Sequence, residues 1–225
     1  MTSLGRQGLL RTIPFIGFIA LIIFVPAGTI HFWQGWLFLI VFTGAIAAIS
    51  VYLLRTDPAL FERRMNAGPR AESRPLEKVI QAITGGSLMV AIVIAGLDHR
   101  FGWSEAPGWV AIAANVVIVV SFGAVLVVLR ENTFAASTIG IQSGQRVIDT
   151  GMYSLVRHPM YATALPGIIA APLALGSYWA VLATIPLIAG LMARILDEER
   201  LLANELPGYE QYRRTVRWRL LPRVW

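Results

Sequence analysis

Long apolar stretches separated by short polar segments constrain the fold of this chain more than any other feature. There are six of them, at residues 9–27, 32–54, 79–97, 109–129, 160–175 and 178–193. A helix needs about 20 apolar residues to cross the ~30 Å hydrocarbon core of a bilayer, and the first four stretches meet this length. The sequence therefore predicts an all-α, polytopic integral membrane protein with five to six transmembrane helices.

The last two stretches are shorter, with 16 residues each. At ~1.5 Å per residue, such a helix spans only about 24 Å. We predict that they form a short helical hairpin, which either crosses with local thinning of the bilayer or is partly shielded by protein. Interfacial helices are expected in loop 55–78, where Asp57 and Pro58 suit a helix start, and in the C-terminal tail. The tail could lie along the membrane surface or act as a lid over a site.

The distribution of basic residues predicts the orientation of the chain. Of the 19 Lys and Arg residues, 18 lie in the N-terminus, in loops 55–78 and 130–159, or in segment 194–225, and the remaining one is Arg100. Positively charged loops stay in the cytoplasm, so both termini and nearly all polar segments are predicted to be cytoplasmic. We interpret the net charge of +6 as a topology signal and expect no nucleic-acid partner. The small size suggests a bacterial cytoplasmic membrane.

The composition excludes several classes of protein and site. Charged residues make up 14% of the chain, against about 25% in a typical soluble domain, which is too few to cover a water-soluble surface. The chain has no cysteine, so disulfides, thiol nucleophiles and Cys-based metal sites are ruled out. Its three histidines, His31, His99 and His158, are too scattered to suggest a metal cluster, and no metal is expected.

The concentration of polar sequence in the C-terminal half predicts two regions. Residues 1–129 are expected to contain four transmembrane helices and the interfacial loop 55–78. Residues 130–225 are expected to form a second region that consists of a loop, the helical hairpin and an interfacial tail, where any chemistry on a water-soluble cofactor would take place.

Two clusters in this region favour a site at the cytoplasmic boundary. Pro159 suits the first turn of a helix and disfavours helical geometry at His158, so the fifth helix should start here with N–H groups that can bind an anion. Arg194 and Glu198 lie four residues apart on one helix face, and the hairpin brings Arg194 to the depth of Tyr161. A simple interfacial salt bridge is the alternative explanation for the Arg–Glu pair.

Three motifs in residues 130–225 carry a family resemblance. They are Q-R-V-I-D-T-G-M-Y-S-L-V-R-H-P-M-Y, then R-x-x-x-E-E-x-x-L, and then L-P-G-Y-E-Q-Y-R-R-T-V with a closing Pro-x-x-Trp. Together they resemble the isoprenylcysteine carboxyl methyltransferase family, which includes related phospholipid N-methyltransferases and bacterial members of unassigned substrate. The resemblance implies a membrane-embedded methyltransferase that uses S-adenosylmethionine without a soluble Rossmann domain. The cofactor-binding residues that it implies are Gln142, Gln145, Arg146, Val147, Ile148, Tyr153, His158, Pro159, Met160, Tyr161 and Glu198.

The resemblance also implies a role for each group. Glu198 would pair with the cofactor ammonium, the helix start with His158 would bind its carboxylate, and Tyr153 and Tyr161 would pack on adenine or face the sulfonium. Arg194 would bind the acceptor carboxylate, so Arg194 and Glu198 are the expected catalytic residues. The lipophilic acceptor would enter laterally from the bilayer. Carboxylate O-methylation is favoured because a carboxylate needs no general base.

Three alternatives stay open from the sequence. The first is a phospholipid-type N-methyltransferase, in which Glu198 or Glu199 would remove a proton. The second is an NADPH-dependent membrane sterol-type reductase of related helical architecture, with Arg146 and Arg157 available for phosphate. The third is a non-enzymatic membrane protein, such as a small transporter or an assembly factor, which would bind no cofactor.

Overall fold

The computed structural model describes residues 3–225, and its regular structure is helical throughout. The α-helices are α1 (Ser3–Ala27), α2 (Trp33–Thr56), α3 (Pro58–Met65), α4 (Pro75–Phe101), α5 (Gly108–Glu131), α6 (Pro159–Ala174), α7 (Trp179–Leu182), α8 (Ile185–Glu205) and α9 (Tyr209–Thr215). A single 3₁₀ turn, Gly151–Ser154, precedes α6. Residues 3–225 contain no β-strand, and the all-α prediction is confirmed.

Within residues 3–225, five segments are long and apolar enough to cross a membrane: most of α1, then α2, α4, α5, and the combined stretch Trp179–Glu205 that contains α7 and α8. In the most apolar 18-residue stretch of each segment, only 11–33% is buried inside the protein. Because the remaining apolar side chains face outward, they require a lipid environment. The protein is therefore a multi-pass membrane protein, as predicted.

The predicted hairpin is present, with arms of unequal length. The first arm, α6, has 16 residues and begins at Pro159, and Gly176 with φ +77 forms the turn after it. The return arm breaks after α7, and Pro186 lies in the first turn of α8. From there α8 continues to Glu205, well beyond the last residue of the predicted apolar stretch. Charged residues such as Arg and Glu end an apolar run, but they are good helix formers and do not end a helix.

Loop 55–78 contains a helix, α3, where the sequence predicted an interfacial one. The Asp57 carboxylate accepts a hydrogen bond from the Leu60 N–H at 2.9 Å, and Pro58 occupies the first turn of α3. Leu60 and Phe61 are buried against the ends of α2 and α5. This contact holds α3 at the end of the bundle where the polar loops lie.

Glycines allow the closest helix contacts. Gly167 of α6 lies against α5, where an added Cβ would be 2.9 Å from the Ser121 Cβ. Gly96 of α4 faces the backbone of α1, where an added Cβ would be 2.7 Å from the Ile23 carbonyl oxygen. Gly96 thus meets backbone and Gly167 meets a small side chain, and both are close approaches of the kind that small residues permit in membranes.

Gly96→Ala is expected to destabilise the fold, because backbone atoms of α1 cannot rotate away from the new methyl group. Overpacking of this kind costs about 1–3 kcal/mol, so the thermal unfolding temperature in detergent should fall. Gly86→Ala is the matched control in the same helix, since no atom lies within 4 Å of its added Cβ. The control should be neutral or slightly stabilising. Equal unfolding temperatures for the two variants would contradict the close α1–α4 contact.

Candidate active site

A polar cavity lies where α6 begins, at the Arg-rich end of the bundle. Its walls are loop 132–148, the 3₁₀ turn, the first turn of α6, the polar half of α8, and α9. The residues predicted from the sequence that line it are Gln145, Arg146, Val147, Ile148, Tyr153, His158, Pro159, Met160, Tyr161 and Glu198. Although they are spread over 54 positions of the chain, from 145 to 198, the fold brings these residues into one site.

Glu198 is the carboxylate that faces this polar cavity. Its Oε2 accepts a hydrogen bond from the Tyr161 hydroxyl at 3.0 Å and lies 3.9 Å from His158 Nδ1. Its side chain is 27% exposed. Within residues 3–225, no Arg or Lys lies within ion-pair distance of it. Glu198 therefore presents a negative charge that can pair with a cationic ligand.

Glu199 has its charge neutralised by protein groups. One oxygen accepts a hydrogen bond from Arg157 Nε at 2.6 Å and lies 3.3 Å from His158 Nε2, and the other accepts one from Arg219 Nε at 2.9 Å. Its side chain is only 5% exposed. The backbone N–H of His158 also donates to the Arg219 carbonyl oxygen. This Glu199 cluster (Arg157, His158, Glu199 and Arg219) ties the C-terminal tail to the start of α6.

The C-terminal tail forms one wall of the site. Tyr209 and Tyr212 of α9 line the polar cavity, and the Tyr212 hydroxyl donates to the Tyr153 carbonyl oxygen at 2.7 Å. Burial raises the pKa of Tyr209 and of Tyr212, so both hydroxyls are protonated at neutral pH. This placement fits the lid alternative for the tail.

Tyr153 is positioned by groups at the end of α5. Its hydroxyl accepts a hydrogen bond from Asn132 Nδ2 at 2.9 Å. The Glu131 carboxylate accepts one from the Met152 N–H at 2.9 Å and occupies the space that a Cβ on Gly151 would need. Burial raises the pKa of Tyr153 to about 12, so the hydroxyl stays neutral and can donate a hydrogen bond.

Arg194 lies outside the polar cavity, behind Tyr161. One of its terminal nitrogens donates to Glu72 at 2.9 Å and to Glu77 at 2.6 Å, and both of these carboxylate side chains are fully buried. The other terminal nitrogen donates to the Ser137 carbonyl oxygen at 2.9 Å, and Nε donates to the Tyr161 hydroxyl at 3.1 Å. Since a guanidinium has five N–H donors, four of them are used. Arg194 reaches the polar cavity only through Tyr161.

Gln142 is the other predicted residue that does not line the cavity. Its N–H donates to the Gln145 side-chain oxygen at 2.8 Å within a turn. Cavity-lining residues that the sequence analysis did not single out include Asn132, Tyr209 and Tyr212. Both tyrosines lie in the L-P-G-Y-E-Q-Y motif, which was a usable signal, whereas nothing in the local sequence marks Asn132.

Residues 106–207 match the family model described as phospholipid methyltransferase. This region is therefore similar to the phospholipid methyltransferase family. The family consists of membrane methyltransferases, so the predicted family resemblance is confirmed. The matched region includes most of the polar cavity, from α5 to the end of α8, while the α9 wall lies beyond it. A comparison with curated proteins gave no match.

Proposed function

We propose that the protein transfers a methyl group from S-adenosylmethionine to a lipophilic acceptor at the cytoplasmic face of the membrane, and that the acceptor group is a carboxylate. The observation that carries the proposal is the position of Glu198, which has no guanidinium partner in the described part of the chain. It faces a polar cavity in the region that matches a membrane methyltransferase family.

The groups around the polar cavity fit the chemistry of S-adenosylmethionine, which supplies an electrophilic methyl group when bound. Glu198 would pair with the ammonium. The N–H groups of Met160 and Tyr161 lie in the first turn of α6, which begins after His158, and would bind the carboxylate at the positive end of the helix dipole. The rings of Tyr153 and Tyr161 would contact the adenine or the sulfonium.

The size of the cavity adds a requirement for movement. It holds about 110 Å³, whereas small-molecule sites measure roughly 300–1,000 Å³. Loop 132–148 forms one wall and contains turns but no helix. We infer that residues 140–145 of this loop move outward when the cofactor binds. Ser137 is tied to Arg64 and Arg194, the Ile139 N–H donates to Glu72, and the other walls are helices packed against the bundle or tied by the Glu199 cluster.

The carboxylates of the site favour an acceptor that needs no general base. An amine acceptor must lose a proton, and Glu199 cannot take it because Arg157, His158 and Arg219 surround its oxygens. Glu198 is already assigned to the cofactor ammonium. A carboxylate acceptor carries its own nucleophilic charge, so the protein needs only to bind, orient and desolvate it.

Phospholipid-type N-methylation is the second candidate, supported by the description of the matching family. The same match argues against the reductase and the non-enzymatic alternatives, since neither requires a methyltransferase region.

Binding of S-adenosylhomocysteine to the purified full chain, measured at equilibrium, tests the proposal. We expect saturable binding that NADPH does not compete for. Incubation with methyl-labelled S-adenosylmethionine and a membrane-lipid extract should then label one acceptor. Mild base should release the label from an ester and leave an N-methyl group intact. Absence of S-adenosylhomocysteine binding would overturn the proposal. Label that resists mild base would overturn the carboxylate acceptor and support the N-methylation candidate.

A further inference from the structure

A second cavity lies within the membrane part of the bundle, between α1, α2, α4, α5 and α6. This apolar cavity holds about 240 Å³. Phenylalanines and aliphatic side chains make up most of its lining. Among the described residues, Arg64 at the end of α3 is the one charged lining residue. A guanidinium therefore lies at the boundary of an otherwise apolar space.

Arg64 has no counter-ion within residues 3–225, where no carboxylate comes within ion-pair distance of it. One of its terminal nitrogens contacts the Met160 sulfur at 3.2 Å, and a thioether is only a weak acceptor. By contrast, the buried guanidiniums of Arg157 and Arg194 are each paired with a carboxylate. Burial lowers the pKa of Arg64, but an arginine remains charged. Arg64 is partly buried, so its unpaired charge carries part of the cost of desolvation, and a bound anion would offset that cost.

Arg64 also lies between the two cavities. Met160, which it contacts, lines the polar cavity. An anion held by Arg64 would therefore lie beside the proposed cofactor site, while an attached apolar chain could fill the apolar cavity.

We propose that Arg64 recognises the acceptor, by binding the carboxylate of a single-chain aliphatic amphiphile whose chain enters the apolar cavity. This inference rests on the proposed function and names the acceptor class for the same site. It gives Arg64 the contact with the acceptor, and it leaves Arg194 a positioning role through Tyr161, because most of the Arg194 donors are already used.

The assignment explains how substrate and product would be distinguished. A carboxylate oxygen forms a bond to the methyl carbon, the carbon–sulfur bond breaks, and its electron pair stays on sulfur. The products are a neutral methyl ester and a neutral thioether, and no proton is released. The ester cannot form an ion pair with Arg64, so it binds more weakly than the acid and leaves.

Direct binding of three probes to the full chain tests the recognition of the anion. The probes are hexadecanoate, methyl hexadecanoate and hexadecyl phosphate, each measured with and without S-adenosylhomocysteine. We expect the wild-type protein to prefer hexadecanoate. Arg64→Gln should weaken hexadecanoate binding about 10- to 100-fold and leave the ester unaffected. Arg70→Gln removes an exposed charge from the linker before α4 and is the matched control, for which no change is expected.

A second pair of variants tests the apolar cavity. Ala164→Leu places extra volume in its lining and should weaken both hexadecanoate and its ester, whereas Ala193→Leu adds the same volume on an exposed face of α8 and should weaken neither. S-adenosylhomocysteine binding by each variant reports whether the site has folded.

Unchanged hexadecanoate binding by Arg64→Gln, with S-adenosylhomocysteine still bound, would overturn the inference alone. Tighter binding of hexadecyl phosphate with the same dependence on Arg64 would overturn the carboxylate assignment. Failure of the wild-type protein to bind S-adenosylhomocysteine would overturn the proposed function instead, while the probe measurements without it would still decide the anion site.

Discussion

Glu198→Gln is expected to weaken S-adenosylhomocysteine binding about 10- to 100-fold, with little change in stability. The substitution keeps the size of the side chain and removes its charge. Glu198 is partly exposed in the polar cavity and lacks a guanidinium partner in the described chain, so the fold does not depend on its charge. A ligand ammonium does depend on it, and charge-assisted hydrogen bonds contribute about 1.5–3 kcal/mol.

Glu199→Gln is the matched comparison, one residue further along the same helix. Its carboxylate compensates Arg157 and Arg219, so the neutral variant leaves two guanidiniums without their anion. Breaking a buried ion pair from one side costs about 3–5 kcal/mol. We therefore expect a lower thermal unfolding temperature for Glu199→Gln. Below that temperature the ligand affinity should stay near that of the wild type.

Calorimetric binding and thermal unfolding in the same detergent measure both effects. The proposed roles predict a crossed pattern, in which one variant loses affinity and the other loses stability. Wild-type affinity in Glu198→Gln would remove this residue from the cofactor site. A wild-type unfolding temperature in Glu199→Gln would show that the Glu199 cluster does not hold the tail.

The sequence was sufficient to predict the membrane helices, because hydrophobicity is a local property of the chain and helix length is set by bilayer thickness. The start of α4 and the end of α8 could not be predicted in the same way. The first begins at Pro75 and the second ends at Glu205, both outside the apolar stretches. Polar helix formers extend each helix into the interface, where an apolar run gives no signal.

Much of the candidate site could be predicted because it is contiguous in sequence from Gln145 to Tyr161. What could not be predicted is which charges face one another. Arg194 meets Glu72 and Glu77, more than a hundred positions away, and nothing in a local motif distinguishes a paired arginine from an available one. The opposite environments of Arg64 and Arg194 appear only when the helices are assembled.

Arg194→Met is expected to destabilise the protein by about 3–5 kcal/mol, since it leaves the carboxylates of Glu72 and Glu77 buried without a cation. Arg194→Lys should rescue little of this loss. An ammonium cannot reproduce the planar fork that contacts two carboxylates, a carbonyl oxygen and the Tyr161 hydroxyl together. Thermal unfolding in detergent measures both variants.

The triple variant Arg194→Met, Glu72→Gln, Glu77→Gln separates a structural role from a catalytic one. Replacing every charge of a buried cluster by neutral groups is often close to neutral in stability, so the triple variant should recover most of the unfolding temperature. If Arg194 positions Tyr161, the recovered protein should keep a normal KM for the acceptor and a reduced kcat, because the Tyr161 hydroxyl has lost the donor that orients it towards Glu198.

A raised acceptor KM with normal stability in Arg194→Met alone would instead assign the acceptor carboxylate to Arg194. That result would contradict the recognition role given to Arg64, because the acceptor carboxylate would then pair with Arg194, which lies behind Tyr161.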